Sequence, residues 1–134
     1  MIVSSGQMDL TRTVGPIQGS QGYGIYPTFG DHWGKKTVIA AQTNTQPFYE
    51  DALYVLDSNG KLASTINLDP QCVNGHAVRL LPAEPDHAVV VCEGNHLTPG
   101  SLVKVDLPSG AILATAQTGV FPDGVTFVPP PGGF

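Results

Sequence analysis

Helical periodicity is missing from this chain: no stretch repeats apolar residues at helix spacing between capping residues, which argues against any helical architecture. Positive charge is scarce as well. Six lysines and arginines face eleven aspartates and glutamates, for a formal net charge of -5, and Lys35-Lys36 is the only basic pair. Nucleic-acid binding draws most of its affinity from basic clusters that neutralise phosphates, so nucleic acid is set aside as a partner. No apolar run approaches the ~20 residues of a membrane helix, and the start MIVSSGQMDL lacks the basic and apolar regions of an export signal. Neither a membrane span nor a signal peptide is therefore expected in the chain as it stands. The Gly-x-Ser-x-Gly elbow, the Walker glycine loop and the dinucleotide fingerprint are all absent, which removes support for serine-nucleophile and nucleotide chemistry. Only two cysteines occur, Cys72 and Cys92, enough for one disulfide or two free thiols, and that count does not fix a compartment.

What the chain does contain is turn chemistry between short apolar runs. Its 134 residues suit one domain, 41% are hydrophobic and 13% charged, and 16 glycines and 12 prolines punctuate them. The stretch Gly100 to Val125 shows the pattern: a β-branched run from Leu102 to Asp106, the turn Pro108-Ser109-Gly110, and an extended run from Ala111 to Gln117. Parts of it recur upstream. Gly110-Ala111-Ile112-Leu113-Ala114-Thr115 echoes Gly60-Lys61-Leu62-Ala63-Ser64-Thr65 and Gly6-Gln7-Met8-Asp9-Leu10-Thr11. Likewise Leu53-Tyr54-Val55-Leu56-Asp57 matches Leu102-Val103-Lys104-Val105-Asp106, and the run from Val38 to Asn44 matches that from Val89 to Asn95. All three registers agree on a period of about 50 residues.

Each period holds four strand-like runs. In the second copy they are Ala77 to Leu81, His87 to Cys92, Leu102 to Asp106 and Ala111 to Gln117; in the first, Gly24 to Tyr26, Lys36 to Ala41, Ala52 to Leu56 and Leu62 to Leu68. The expectation is an all-β chain of β-propeller blades, each a four-stranded antiparallel sheet that needs neighbours to cover its faces. About two full blades are expected, 22–68 and 75–117, with a half blade at 1–14 and a lone inner strand at 124–128. That falls short of the ~4 to 8 blades of a closed ring. Self-association head to tail, or further blades in a larger propeller, would supply the rest, with the second preferred.

LVKVDLPSGAILATAQTGVFPDGVTFVP resembles the YVTN-type repeat of exported microbial proteins, in which a strand ending in aspartate, a small turn, an Ala-Thr strand and a Pro-x-Gly-Val strand recur. That resemblance implies a propeller, and an exported or periplasmic location. A weaker one is to the six-bladed gluconolactonase and senescence-marker-protein family. There an Asn-Gly and a Pro-Asp-Gly opening two inner strands give ligands to a central divalent ion. Here Asn74-Gly75 and Pro122-Asp123-Gly124 stand one period apart, and the resemblance implies Asn74 and Asp123 as metal ligands.

Propeller connectivity places Gln18 to Tyr23, Gln42 to Glu50, Asp69 to His76, Glu93 to Gly100 and Thr118 to Asp123 on one ligand-binding face. Cys72, Asn74, His76, Cys92, Glu93, His96 and Asp123 share it. Oxygen ligands there suit calcium and imidazole suits zinc or copper, although the spacings match no closed Cys and His pattern. His76 reads otherwise as a polar inner-strand residue, and Asn74 and Asp123 as turn residues bonding their own backbone. The cysteines are read as buried thiols rather than a bridge. His32 and His87 are placed in solvated turns on the opposite face. Trp33, Tyr26, Phe29 and Phe127 are assigned to packing between blades, and Phe48 and Tyr49 to a ligand-face loop. The leading functional expectation is a non-catalytic module binding a small molecule or a protein. Its rival is a metal-dependent lactonase-like hydrolase, with a copper or redox propeller on His76 and His96 ranked last.

Overall fold

In the computed structural model, the described residues are 2–4, 7–9, 26–45 and 48–133. They are all strand and loop. The elements are β1 (Ile2–Ser4), β2 (Gln7–Asp9), β3 (Tyr26–Trp33), β4 (Lys36–Thr45), β5 (Phe48–Leu56), β6 (Leu62–Asn67), β7 (Gly75–Leu81), β8 (Glu84–Cys92), β9 (Pro99–Asp106) and β10 (Ile112–Val120). β1 and β2 form a two-stranded hairpin, β3 to β6 a first four-stranded sheet in chain order, and β7 to β10 a second of the same order. Every pairing is antiparallel.

Strand alternation decides how the two sheets meet. Val38 pairs with Val55, and Leu53 with both Ala40 and Ile66, so these five side chains share one face of the first sheet. In the second sheet Val90 pairs with Val78 and Val103, and Ala88 with Leu80 and Val105. These two faces close on each other with Leu68, Cys72, Cys92 and Leu107 as one buried cluster, and β7 lies against β3 and β4.

Aspartates bind the sheets together at both ends. Leu80 N donates to Asp31 Oδ2 at 3.0 Å, and Trp33 Nε1 donates to Asp86 Oδ1 at 3.0 Å. At the other end the Asp51 carboxylate, in the first half of β5, accepts from Asn74 N at 3.1 Å and Gly75 N at 2.7 Å. Backbone donors that open the second sheet are thus satisfied by acids of the first.

Several boundaries differ from those expected. The turn between β7 and β8 is only Pro82-Ala83, so His87 stands inside a strand rather than in a solvated turn. His32 is likewise within β3, exposed. Phe48 and Tyr49 belong to β5, because β4 and β5 continue pairing as far as Thr45 and Phe48. Phe29 is 65% exposed and does not pack between the sheets. Residues 121–130 form no ladder, so the strand expected at 124–128 has no partner among the described residues. The expectations at 10–14, Gln18 to Tyr23 and Gly24-Ile25 lie outside the described residues, as does the side chain of Tyr26.

Candidate functional site

One end of the second sheet gathers the loop before β7, the loop after β8 and the segment after β10. A disulfide fixes the first two. Cys72 and Cys92 are bonded, with Cα atoms 5.3 Å apart, and both are buried. This corrects the expectation of two free thiols: pairing of Gly75 with Cys92 brings the chain just before β7 within bridging distance of the end of β8. The ladder continues past the strands, since Glu93 N donates to Asn74 O at 3.0 Å and Gly94 N to Val73 O at 2.9 Å.

Pro122 positions the third segment. Gly100 has no side chain, and a Cβ there would stand 2.7 Å from Pro122 Cγ and 2.3 Å from the Cys92 carbonyl oxygen. The glycine therefore lets Pro122 rest against β9 and delivers Asp123 to the mouth of β7.

His76 is the centre of the group these segments build. Its Nδ1 lies 3.0 Å from Glu93 Oε1 and its Nε2 3.0 Å from Asp123 Oδ1. Nε2 is sealed from solvent yet makes no hydrogen bond, because Asp123 sits outside hydrogen-bonding alignment. Glu93, only 8% exposed, uses its other oxygen toward His96 Nε2 at 2.7 Å. Phe29 meets the His76 ring edge-on at 5.3 Å, and Phe121 tilts against His96 at 4.2 Å. No lysine or arginine pairs with these carboxylates among the described residues.

The donors suit a divalent cation. One ligand atom each from His76, Glu93 and Asp123 lies within 4.8 Å of the others, and an imidazole with two carboxylates is a donor set of the zinc type. His76 and Asp123 were expected as ligands. Glu93 was expected on this face only, and His96 as a ligand only in the last-ranked copper or redox reading; the structure places Glu93 between the two histidines. Asn74 has a different engagement: its backbone is left-handed at φ 56°, and its Nδ2 donates to Gly94 O at 2.5 Å. Its side chain braces the loop, as a turn residue would. Cys72 and Cys92, being oxidised, offer no thiolate.

Asp51 is the residue that sequence reasoning missed. Burial pushes its carboxyl from 3.8 up to about 6, against the opposing pull of the Gly75 and Asn74 amides, with Asp69 nearby adding to the rise. A carboxylate inside a strand carries no motif. Its only signal is a charged residue immediately before the apolar run Ala52 to Leu56.

A second histidine group occupies the opposite end. His87 Nδ1 contacts Glu84 Oε2, and its Nε2 lies 3.3 Å from Asp106 Oδ1. Lys104 Nζ sits 2.6 Å from Glu84, while Ser109 donates to Asp106 from both N and Oγ. Glu84 is held below its ordinary range by Lys104 and then His87, and Asp106 by Ser109 above all.

Comparison with protein-family models, with curated proteins and with solved structures finds no match.

Proposed function

We propose that this chain is a ligand-binding module built of β-propeller blades, whose binding end uses a divalent cation of the zinc class as anchor. One observation carries the reading: His76, Glu93 and Asp123 arrive from three separate segments and present ligand atoms within 4.8 Å of one another, with no basic residue to balance them among the described residues. The disulfide that fixes two of those segments suits a protein exposed to oxidising conditions, in keeping with the exported repeats the sequence resembles. The tandem four-stranded sheets, stacked face to face in chain order, support the propeller reading.

A second reading is a metal-dependent hydrolase of the gluconolactonase type. It draws on the same ring, whose Nδ1 is oriented by a buried glutamate while Nε2 is left without a hydrogen bond, the arrangement of a base held by a carboxylate. A bound divalent ion would supply polarisation of an ester carbonyl or a water of lowered pKa.

Calorimetric titration of chelator-stripped protein with zinc separates these readings from a purely structural role. One ion per chain, lost in both His76→Ala and Asp123→Ala, is the expected result, and absence of binding by folded protein would overturn it. Lactone turnover that requires both metal and His76 would favour the hydrolase, whereas binding without turnover favours the module.

A further inference from the structure

The His76 group borders a cleft of about 310 Å³, lined by Phe29 and Gly30 of β3, by Ala77 and Arg79 of β7, and by Asp123 and Val125 of the segment after β10. That volume is at the small end of ligand sites. β7 ends its sheet order and pairs only with β8, so its other edge is free to border a ligand. Both strands are bulged where they meet the cleft. β7 shifts register between Gly75 and Ala77, which makes His76 the extra residue, and β3 shifts between Pro27 and Gly30, where Phe29 lies. Bulges re-aim side chains and gather beside binding sites.

The lining is apolar in the middle and charged at two places. Phe29 is 65% exposed even though its ring meets His76 edge-on, and Ala77 and Val125 add aliphatic surface. Arg79 is exposed and forms no ion pair among the described residues, in a chain of net charge -5. Asp123 belongs to the His76 group, where three protein ligands leave the fourth position of a tetrahedral ion open to an outside ligand. Arg79 follows His76 by three residues along β7, a separation of about 10 Å on an extended strand. A guanidinium fork and an ion with an open position both match a carboxylate. The apolar walls between them favour a hydrocarbon spacer over a compact inorganic anion.

We propose that this cleft binds a small aliphatic dicarboxylate, with one carboxylate in the Arg79 fork and the other on the ion held by His76, Glu93 and Asp123. The inference rests on the metal-anchored reading above and names its ligand class.

Calorimetric titration with zinc, followed by glutarate as the probe dicarboxylate, tests it. Zinc-loaded protein is expected to bind glutarate about tenfold more tightly than it binds butyrate, which has a single carboxylate, and about tenfold more tightly than chelator-stripped protein binds glutarate. Arg79→Gln is expected to weaken glutarate binding about tenfold while one zinc per chain still binds, because a charge-assisted contact is lost. Lys61→Gln, which removes an exposed charge elsewhere, should have no effect. Circular dichroism checks the fold, and Val125→Glu, outside any strand, repeats the test by placing like charge in the cleft should Arg79→Gln unfold. Folded protein that takes no zinc would overturn the metal reading and this inference with it. Zinc-loaded protein that ignores glutarate, binds it no better than butyrate, or holds it as tightly in Arg79→Gln as in the wild type would overturn this inference alone.

Discussion

Each end of the second sheet sets a histidine between two carboxylates, and the two groups differ in what balances their charge. At the β8–β9 turn side of the chain's crossing loops, His76 and His96 share Glu93, Asp123 stands 84% exposed at the mouth, and no basic residue joins them among the described residues. At the opposite end, Lys104 neutralises Glu84 and Ser109 satisfies Asp106. The second group is complete in itself and holds strands β8 and β9 in register, since His87 and Asp106 are direct ladder partners. The first reaches beyond the β7–β8 ladder to Asp123, in a segment that forms no ladder, and leaves a buried ring nitrogen without a hydrogen bond. One residue pattern thus serves as a structural clasp where its charges are paired internally, and, in the function proposed, as a receptive site where no basic residue pairs them among the described residues.

The sharpest way to break the comparison is to remove one carboxylate from each end. Glu93→Ala is expected to lower zinc affinity about a hundredfold, since it removes a ligand and the group that orients two histidines. Glu84→Ala should leave zinc affinity unchanged, and calorimetry reads both.

The disulfide offers a slightly different contrast, because only the receptive end has one. Cys72→Ala with Cys92→Ala opens a loop of sequence separation 20 and is expected to cost about 3 kcal/mol in chemical denaturation. His87→Ala, at the clasp, should cost less.

Asp51 adds a pH dependence to the same end. Its folded-state pKa is raised by burial to about 6 from 3.8, so the folded protein binds this proton more tightly than the unfolded chain. Its contribution is fully present below about pH 4 and is lost as pH rises through about 6, a fall of up to about 3 kcal/mol. Denaturation midpoints should show this decline in the wild type and lose it in Asp51→Asn.

The smallest effect belongs to the clasp. Lys104→Ala should move the Glu84 titration upward toward the ordinary range, seen by side-chain NMR, with little change in stability because the pair is exposed to solvent.

How much of this was legible in the sequence follows from what local pattern encodes. Strands β7 to β10 could be read from alternating apolar runs and from turns such as Pro108-Ser109-Gly110, because both signals are local. The grouping of Asn74, His76, Glu93, His96 and Asp123 at one end followed from the repeat. Their partners did not, since which carboxylate meets which ring nitrogen depends on side-chain direction and on how Pro122 seats against Gly100. The disulfide depended on a register that no spacing reveals. His87 was misplaced because Asp86-His87 looks like a turn, whereas the actual turn needs only Pro82-Ala83. Asp51 stayed hidden because its burial comes from a loop one sheet further along the chain.

The central claim is that the two histidine groups differ in kind, and zinc titration followed through the ring resonances of the four histidines tests it most directly. The account predicts that the His76 and His96 signals shift or broaden together at one equivalent of zinc, while His87 and His32 stay in place. A response from His87 equal to that of His76, or no response from His76 in folded protein, would contradict it.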